Sequence, residues 1–132
     1  MGRTGTINHL EIYVSNLMET RLFWERLLVQ NFGYQVYQEW ESGISYRLDE
    51  THLVFVQSLK VTPQYNRTRV GLNHLAFTVE TNKQVDEIRS QLRVAGYTEL
   101  YADRYPYAGG QDSYALYFED PDRIKVEIVS IE

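Results

Sequence analysis

Apolar and polar positions alternate with a period of two across residues 7–14, so that Leu10, Ile12 and Val14 share one side of an expected strand. His9, Glu11 and Tyr13 share the other side. Beyond Asn16 the period lengthens, and Thr20, Phe23, Trp24, Leu27 and Leu28 recur at helical spacing. Asn16 and Glu19 stand in capping-box spacing at the start of this helix, and Gly33 supplies the left-handed residue that closes it. Short strands are then expected over 34–39, 44–48 and 53–58, separated by Glu41-Ser42-Gly43 and Asp49-Glu50-Thr51.

The same pattern returns 65 positions later. Leu72-Asn73-His74-Leu75 repeats Ile7-Asn8-His9-Leu10, and the strand runs on to Val79. Thr81 and Gln84 start a second helix, whose apolar stripe is Val85, Ile88, Leu92 and Ala95 and whose stop is Gly96. Strands over 99–102, 114–119 and 124–130 follow. The chain therefore reads as α+β, with β-α-β-β-β written twice: one domain over 5–131, made of module one at 5–58, a linker at 59–70 and module two at 71–131. By the same alternation, His74, Ala76 and Thr78 lie opposite Leu75, Phe77 and Val79, and Lys125, Glu127 and Val129 lie opposite Val126 and Ile128. The aliphatic sides must pack on the helices, which leaves His9, His74 and Glu127 on open faces.

Composition narrows the chemistry. A chain of 132 residues with 43% hydrophobic and 23% charged residues suits one packed domain and is too apolar for disorder. A net charge of −5 and the lack of any basic run make nucleic acid and anionic membranes unsuitable partners. With no cysteine there is neither a thiolate nucleophile nor a thiolate metal site, so a metal here must be held by His, carboxylate or amide. The absence of disulfides and of an apolar leader gives the expectation of a cytoplasmic protein. Asn66-Arg67-Thr68 matches a glycosylation acceptor, which has no meaning outside secretion and reads as loop.

Two β-α-β-β-β modules, a histidine on the first strand of each, and Asp120-Pro121-Asp122 ahead of a strand carrying Glu127 resemble the vicinal oxygen chelate superfamily. This group includes glyoxalase I, extradiol dioxygenases, fosfomycin-modifying enzymes and bleomycin-binding proteins. The resemblance covers about residues 5–131 and implies eight strands curled as a mixed sheet around a cavity with one divalent ion, Zn, Ni, Fe, Mn or Co. It makes His9, His74 and Glu127 the metal ligands. The strand-four position, usually glutamate or glutamine in glyoxalase-like members, falls nearest to Gln57. The family turn commonly has glycine after Asp-Pro-Asp, whereas this chain has Arg123, so the turn is expected to differ locally. Relatives also imply a homodimer.

Two imidazoles and one carboxylate leave coordination positions open for a small substrate chelating through adjacent oxygens. The leading expectation is a glyoxalase I-like lyase or isomerase that stabilises an enediolate by Lewis acidity, with Glu11 as a general base beside the ion or as an anchor for an imidazole N–H, and with Glu127 taking part. A non-haem iron dioxygenase, a fosfomycin-type transferase or hydrolase, and a non-catalytic small-molecule binder are the alternatives. His52 reads as an exposed turn residue. The 104–112 connection, with Tyr105, Tyr107, Gly109 and Gly110, reads as an irregular loop or a closing lid. Tyr13, Tyr46 and Tyr114 are candidate donors to a polar ligand.

Overall fold

Strand alternation and helix caps act where the sequence places them. The computed structural model describes residues 2–132. Its elements run β1 (His9–Val14), α1 (Leu17–Trp24), a π-helical segment (Glu25–Asn31), β2 (Gln35–Trp40), β3 (Gly43–Leu48) and β4 (Thr51–Gln57). They continue as β5 (His74–Val79), α2 (Asn82–Val94), β6 (Glu99–Leu100), a 3-10 turn (Ala102–Arg104), β7 (Ala115–Glu119) and β8 (Lys125–Ser130). The chain is α+β with the β-α-β-β-β order written twice. Two compact units divide between Thr62 and Pro63, within the stretch expected as linker. Among the described residues the strands form two four-stranded mixed sheets, β1-β4-β3-β2 and β5-β8-β7-β6, instead of one hydrogen-bonded ladder of eight.

In module one, the Asn16 side chain accepts the Glu19 N–H at 3.0 Å and starts α1. Val14, Ile44, Tyr46, Leu53 and Phe55 turn to one side of the sheet and are buried with Phe23, Trp24, Leu27 and Leu28. The Trp24 and Phe55 rings lie 5.0 Å apart at the centre of this core. The apolar stripe predicts one α-helix reaching Gly33, but the chain widens to a π-helix after Trp24, with the Phe32 N–H reaching back to Leu27 O at 3.2 Å. Leu27 and Leu28 are both fully buried in the widened turns. No proline or glycine marks the change, so apolar spacing does not reveal it.

Module two repeats the plan with a regular helix. Thr81 and Gln84 complete a reciprocal capping box. Val85, Ile88 and Leu92 are buried with Leu116, Phe118, Val126 and Ile128. Ala95, expected in the stripe, is exposed because the helix ends at Val94. The strand expected over 99–102 stops at Leu100, since Tyr101 takes a left-handed conformation (φ 59°) and turns the chain. Arg123 also takes a left-handed conformation (φ 69°), so the turn after Asp120 forms with arginine in the place where glycine fits best. Asp120 Oδ1 accepts the N–H groups of Asp122 and Ile124, each at 2.9 Å, and locks it. That turn sets the start of β8 and with it the position of Glu127.

Candidate metal and substrate site

The register of each sheet decides which side chains share its open face. In module two, β5 runs parallel to β8, with His74 opposite Lys125 and Ala76 opposite Glu127; β7 runs antiparallel, with Tyr117 opposite Glu127. His74, Lys125, Glu127 and Tyr117 therefore project to one side. His74 Nε2 lies 3.1 Å from Glu127 Oε1, and His74 Nδ1 lies 2.8 Å from Asn73 Oδ1. The Asn73 amide nitrogen donates to the Arg67 carbonyl at 3.0 Å, which orients its oxygen toward the imidazole. An amide oxygen can only accept, so Nδ1 carries a proton; in the neutral ring Nε2 then presents its lone pair to the carboxylate. Two acceptors facing each other need a proton or a cation between them. Adjacent ligands about 2.1 Å from one ion at right angles stand about 3 Å apart, so this donor pair fits a divalent metal. Within either module taken alone, no third His, Asp or Glu among the described residues completes a ligand group.

The Tyr117 hydroxyl donates to Glu127, and burial first, then that carboxylate, pushes the tyrosine up to about 12, so it remains a protonated donor near neutral pH. A Cβ on Gly109 would lie 2.5 Å from the Tyr117 oxygen, so a side chain there would force the tyrosine hydroxyl to move. The rest of that loop is tied to α2: the hydroxyls of Tyr105 and Tyr114 both donate to Asp86 Oδ1, the second at 2.7 Å, and the Arg89 guanidinium lies 4.0 Å from the Tyr105 ring centre. Burial and the Asp86 carboxylate raise Tyr105 above its ordinary range. Tyr114 is thus a loop anchor.

In module one, β1 pairs with β4 so that His9 stands opposite His52, Glu11 opposite Val54 and Tyr13 opposite Val56. His52 is not a turn residue: it lies within β4, neighbours His9 on the open face, and packs on Tyr37 with ring centres 4.8 Å apart. Strand periodicity could have found this once β4 was started at Thr51. His9 Nδ1 lies 2.7 Å from Asn8 Oδ1, which repeats the Asn73–His74 arrangement. Gln57 falls on the other face, opposite Val14, and its side-chain oxygen accepts the Leu17 N–H at 2.8 Å. Val54 occupies the rung that matches Glu127, so the geometry gives Gln57 a place at the end of α1 and none beside His9. Tyr46 is fully buried on the helix side, where its hydroxyl donates to Glu25 at 2.7 Å. The shared Asn-His dipeptide was the available signal for Asn8 and Asn73; Tyr117 required the β7 register.

The sequence pattern of the Glyoxalase/Bleomycin resistance protein/Dioxygenase superfamily matches residues 8–117. The chain belongs to this superfamily. It is 50% identical over 126 residues to the uncharacterized protein YqjT of Bacillus subtilis (strain 168), covering 94% of this chain and 98% of the relative. A crystal structure of a candidate glyoxalase from Bacillus halodurans is 47% identical, with a TM-score of 0.94 and 97% of each chain covered. Lactoylglutathione lyase from Agrobacterium tumefaciens is 16% identical with a TM-score of 0.67 over 98% of this chain and 96% of its own, a likeness of fold alone. Among the described residues no helix is long and apolar enough to cross a membrane.

Proposed function

We propose that this superfamily member is a metal-dependent lyase or isomerase of glyoxalase type, acting on a small substrate that chelates through adjacent oxygens. The observation that carries it is the Asn73–His74–Glu127 array, with His74 Nε2 and a Glu127 carboxylate oxygen 3.1 Å apart. The proposed ligands are His74, Glu127 and His9, the last oriented by Asn8 in the same way. A bound dication supplies Lewis acidity toward the substrate oxygens. The chain's own residues do the rest. Asn8 and Asn73 hold the Nδ1 protons and keep each Nε2 basic. Tyr117 donates to Glu127 and holds its orientation. Glu11, two residues beyond His9 on the same face, removes the proton from the carbon next to the substrate carbonyl and returns it to the neighbouring carbon.

A second reading, a non-haem iron dioxygenase, is favoured by Val54: with an apolar residue on the rung that matches Glu127, the proposed set reduces to two histidines and one carboxylate. Metal analysis of protein purified without added metal, followed by two assays, separates the readings. Zinc, nickel, cobalt or manganese with solvent-deuterium incorporation into a 2-oxoaldehyde hemithioacetal supports the isomerase; iron with oxygen consumption on a catechol supports the oxygenase. Protein that takes up no divalent metal defeats both. The edge strands β1, β2, β5 and β6, which pair on one side only among the described residues, also support a homodimer. Light scattering should give about twice 15.6 kDa, and a monomer mass would reject it.

A further inference from the structure

The open face of module two carries a cation whose natural partner has been taken from it. Lys125 stands directly opposite Glu119 in the antiparallel β7–β8 pair, where unlike charges ordinarily meet across the strands. Glu119 is occupied instead by Arg67 at 2.7 Å and Arg123 at 3.3 Å. The Lys125 ammonium turns the other way, donates to the Tyr101 hydroxyl at 3.2 Å, and lies 5.4 Å from the Tyr101 ring centre and 5.9 Å from that of Tyr117. The Arg104 guanidinium lies 5.0 Å from the Tyr101 ring centre. Neither Lys125 nor Arg104 is among the cations that have a carboxylate within ion-pair distance in the described residues. Two uncompensated cations thus flank one phenol that accepts from Lys125 and keeps its own proton to donate.

This cluster adjoins the Asn73–His74–Glu127 array. His74 is the Lys125 partner on the parallel side, and the Tyr117 ring that borders the lysine is the one whose hydroxyl holds Glu127. The arginine-lined hollow of about 420 Å³ around Arg67, Arg69 and Arg123 offers more cationic groups, but two of them are already neutralised by Glu119. Lys125 and Arg104 have no such neutralisation.

We propose that Lys125, Tyr101 and Arg104 form an oxyanion-binding subsite, so that the substrate carries a carboxylate or phosphate group close to the oxygens it presents at His74 and Glu127. The substrate-side role rests on the metal-enzyme reading above, whereas anion binding by the cluster does not. Lys125 supplies the charge, the Tyr101 hydroxyl supplies a directed donor, and the left-handed backbone of Tyr101 fixes where that donor points.

The test uses the full chain stripped of metal by a chelator, so its outcome is independent of whether the metal reading holds. Oxalate and inorganic phosphate are titrated at constant ionic strength, with carbon-13 NMR of selectively labelled lysine and arginine side chains and calorimetry as readouts. A saturable shift of the Lys125 signal by either anion, with affinity falling about tenfold or more in Lys125→Met, is expected for a lost charge-assisted contact. Lys125→Arg should recover most of that affinity, and Tyr101→Phe should weaken binding with the charge intact. Equal anion affinity in wild type and Lys125→Met overturns the subsite, as does a titration that moves the arginine signals of Arg67 and Arg123 while Lys125 stays still. If Lys125→Met does not fold, the wild-type lysine signal and the Tyr101→Phe affinity decide by the same criteria.

Discussion

Laid rung on rung, the two modules share a scaffold and differ in where they place charge. The rung that holds the histidine reads His9 opposite His52 in module one and His74 opposite Lys125 in module two. The next rung reads Glu11 opposite Val54 in one and Ala76 opposite Glu127 in the other. Each module thus carries one carboxylate at the same height beside its histidine, but on the first strand in module one and on the last strand in module two. Parallel neighbours stand only about 4.8 Å apart, so a carboxylate can cross from one strand to the other and still serve nearly the same volume. The two modules share the rung and differ in the strand that fills it. Module two also acquires Tyr117, where module one has Ser45, and so holds its carboxylate by a donor that module one lacks at that rung.

The largest expected effect comes from treating the two carboxylates as different in kind. Glu11→Gln keeps the shape and removes the basicity, so turnover should fall about 10² to 10⁴-fold while metal content is retained. Glu127→Gln should lower metal content itself, read by elemental analysis after dialysis. If Glu11→Gln loses metal and Glu127→Gln does not, the roles assigned to the rungs are reversed. The double variant Glu11→Ala with Val54→Glu moves the first carboxylate across its rung and sharpens the point: metal affinity should rise above that of Glu11→Ala alone, and no rise would mean the two sides of the rung are not equivalent.

A middle-sized effect tests the feature that the modules share. Asn73→Ala and Asn8→Ala each remove the acceptor that fixes an Nδ1 proton, and each should weaken metal binding about 10 to 100-fold, read by competition with a chelator. Similar losses in both would show that the two imidazoles serve one purpose. A loss confined to Asn73→Ala would confine the metal role to module two.

Much of the scaffold was legible because it depends on local rules. The periods of two and 3.6, the caps at Asn16 and Thr81 and the stops at Gly33 and Gly96 are written in short stretches of chain, and the structure follows them. The histidine faces were legible for the same reason, since alternation alone sends His9 and Glu11 to one side. What alternation cannot give is which residue of the neighbouring strand stands alongside. His52 beside His9, Val54 on the rung of Glu127, and the diversion of Glu119 away from Lys125 all depend on register or on partners up to 52 positions away. Gln57 shows the cost: its nearness in sequence to the expected strand-four position says nothing about its face. The π-helical turns after Trp24 were hidden for another reason, because the same apolar stripe satisfies both helix types.

The smallest expected effect concerns the helix starts, where the modules use one device with different chemistry. The first amide of α1, from Leu17, donates to the Gln57 side chain at 2.8 Å, and the first amide of α2, from Asn82, donates to the Glu132 side chain at 2.6 Å. Both acceptors come from the chain at or just beyond the last strand of their own module, and both satisfy an N–H that the helix cannot. Gln57→Ala should therefore cost about 1 kcal/mol of stability, the ordinary net value of one hydrogen bond, and leave metal content unchanged. Glu132→Ala should cost a similar amount, and its effect should shrink as salt rises, since a carboxylate near a helix N-terminus acts partly through charge. The neutral Gln57 has no such dependence. Urea melts of both variants at low and high salt read the difference directly: a salt-sensitive Gln57→Ala, or one that loses metal, would return Gln57 from the helix to the metal.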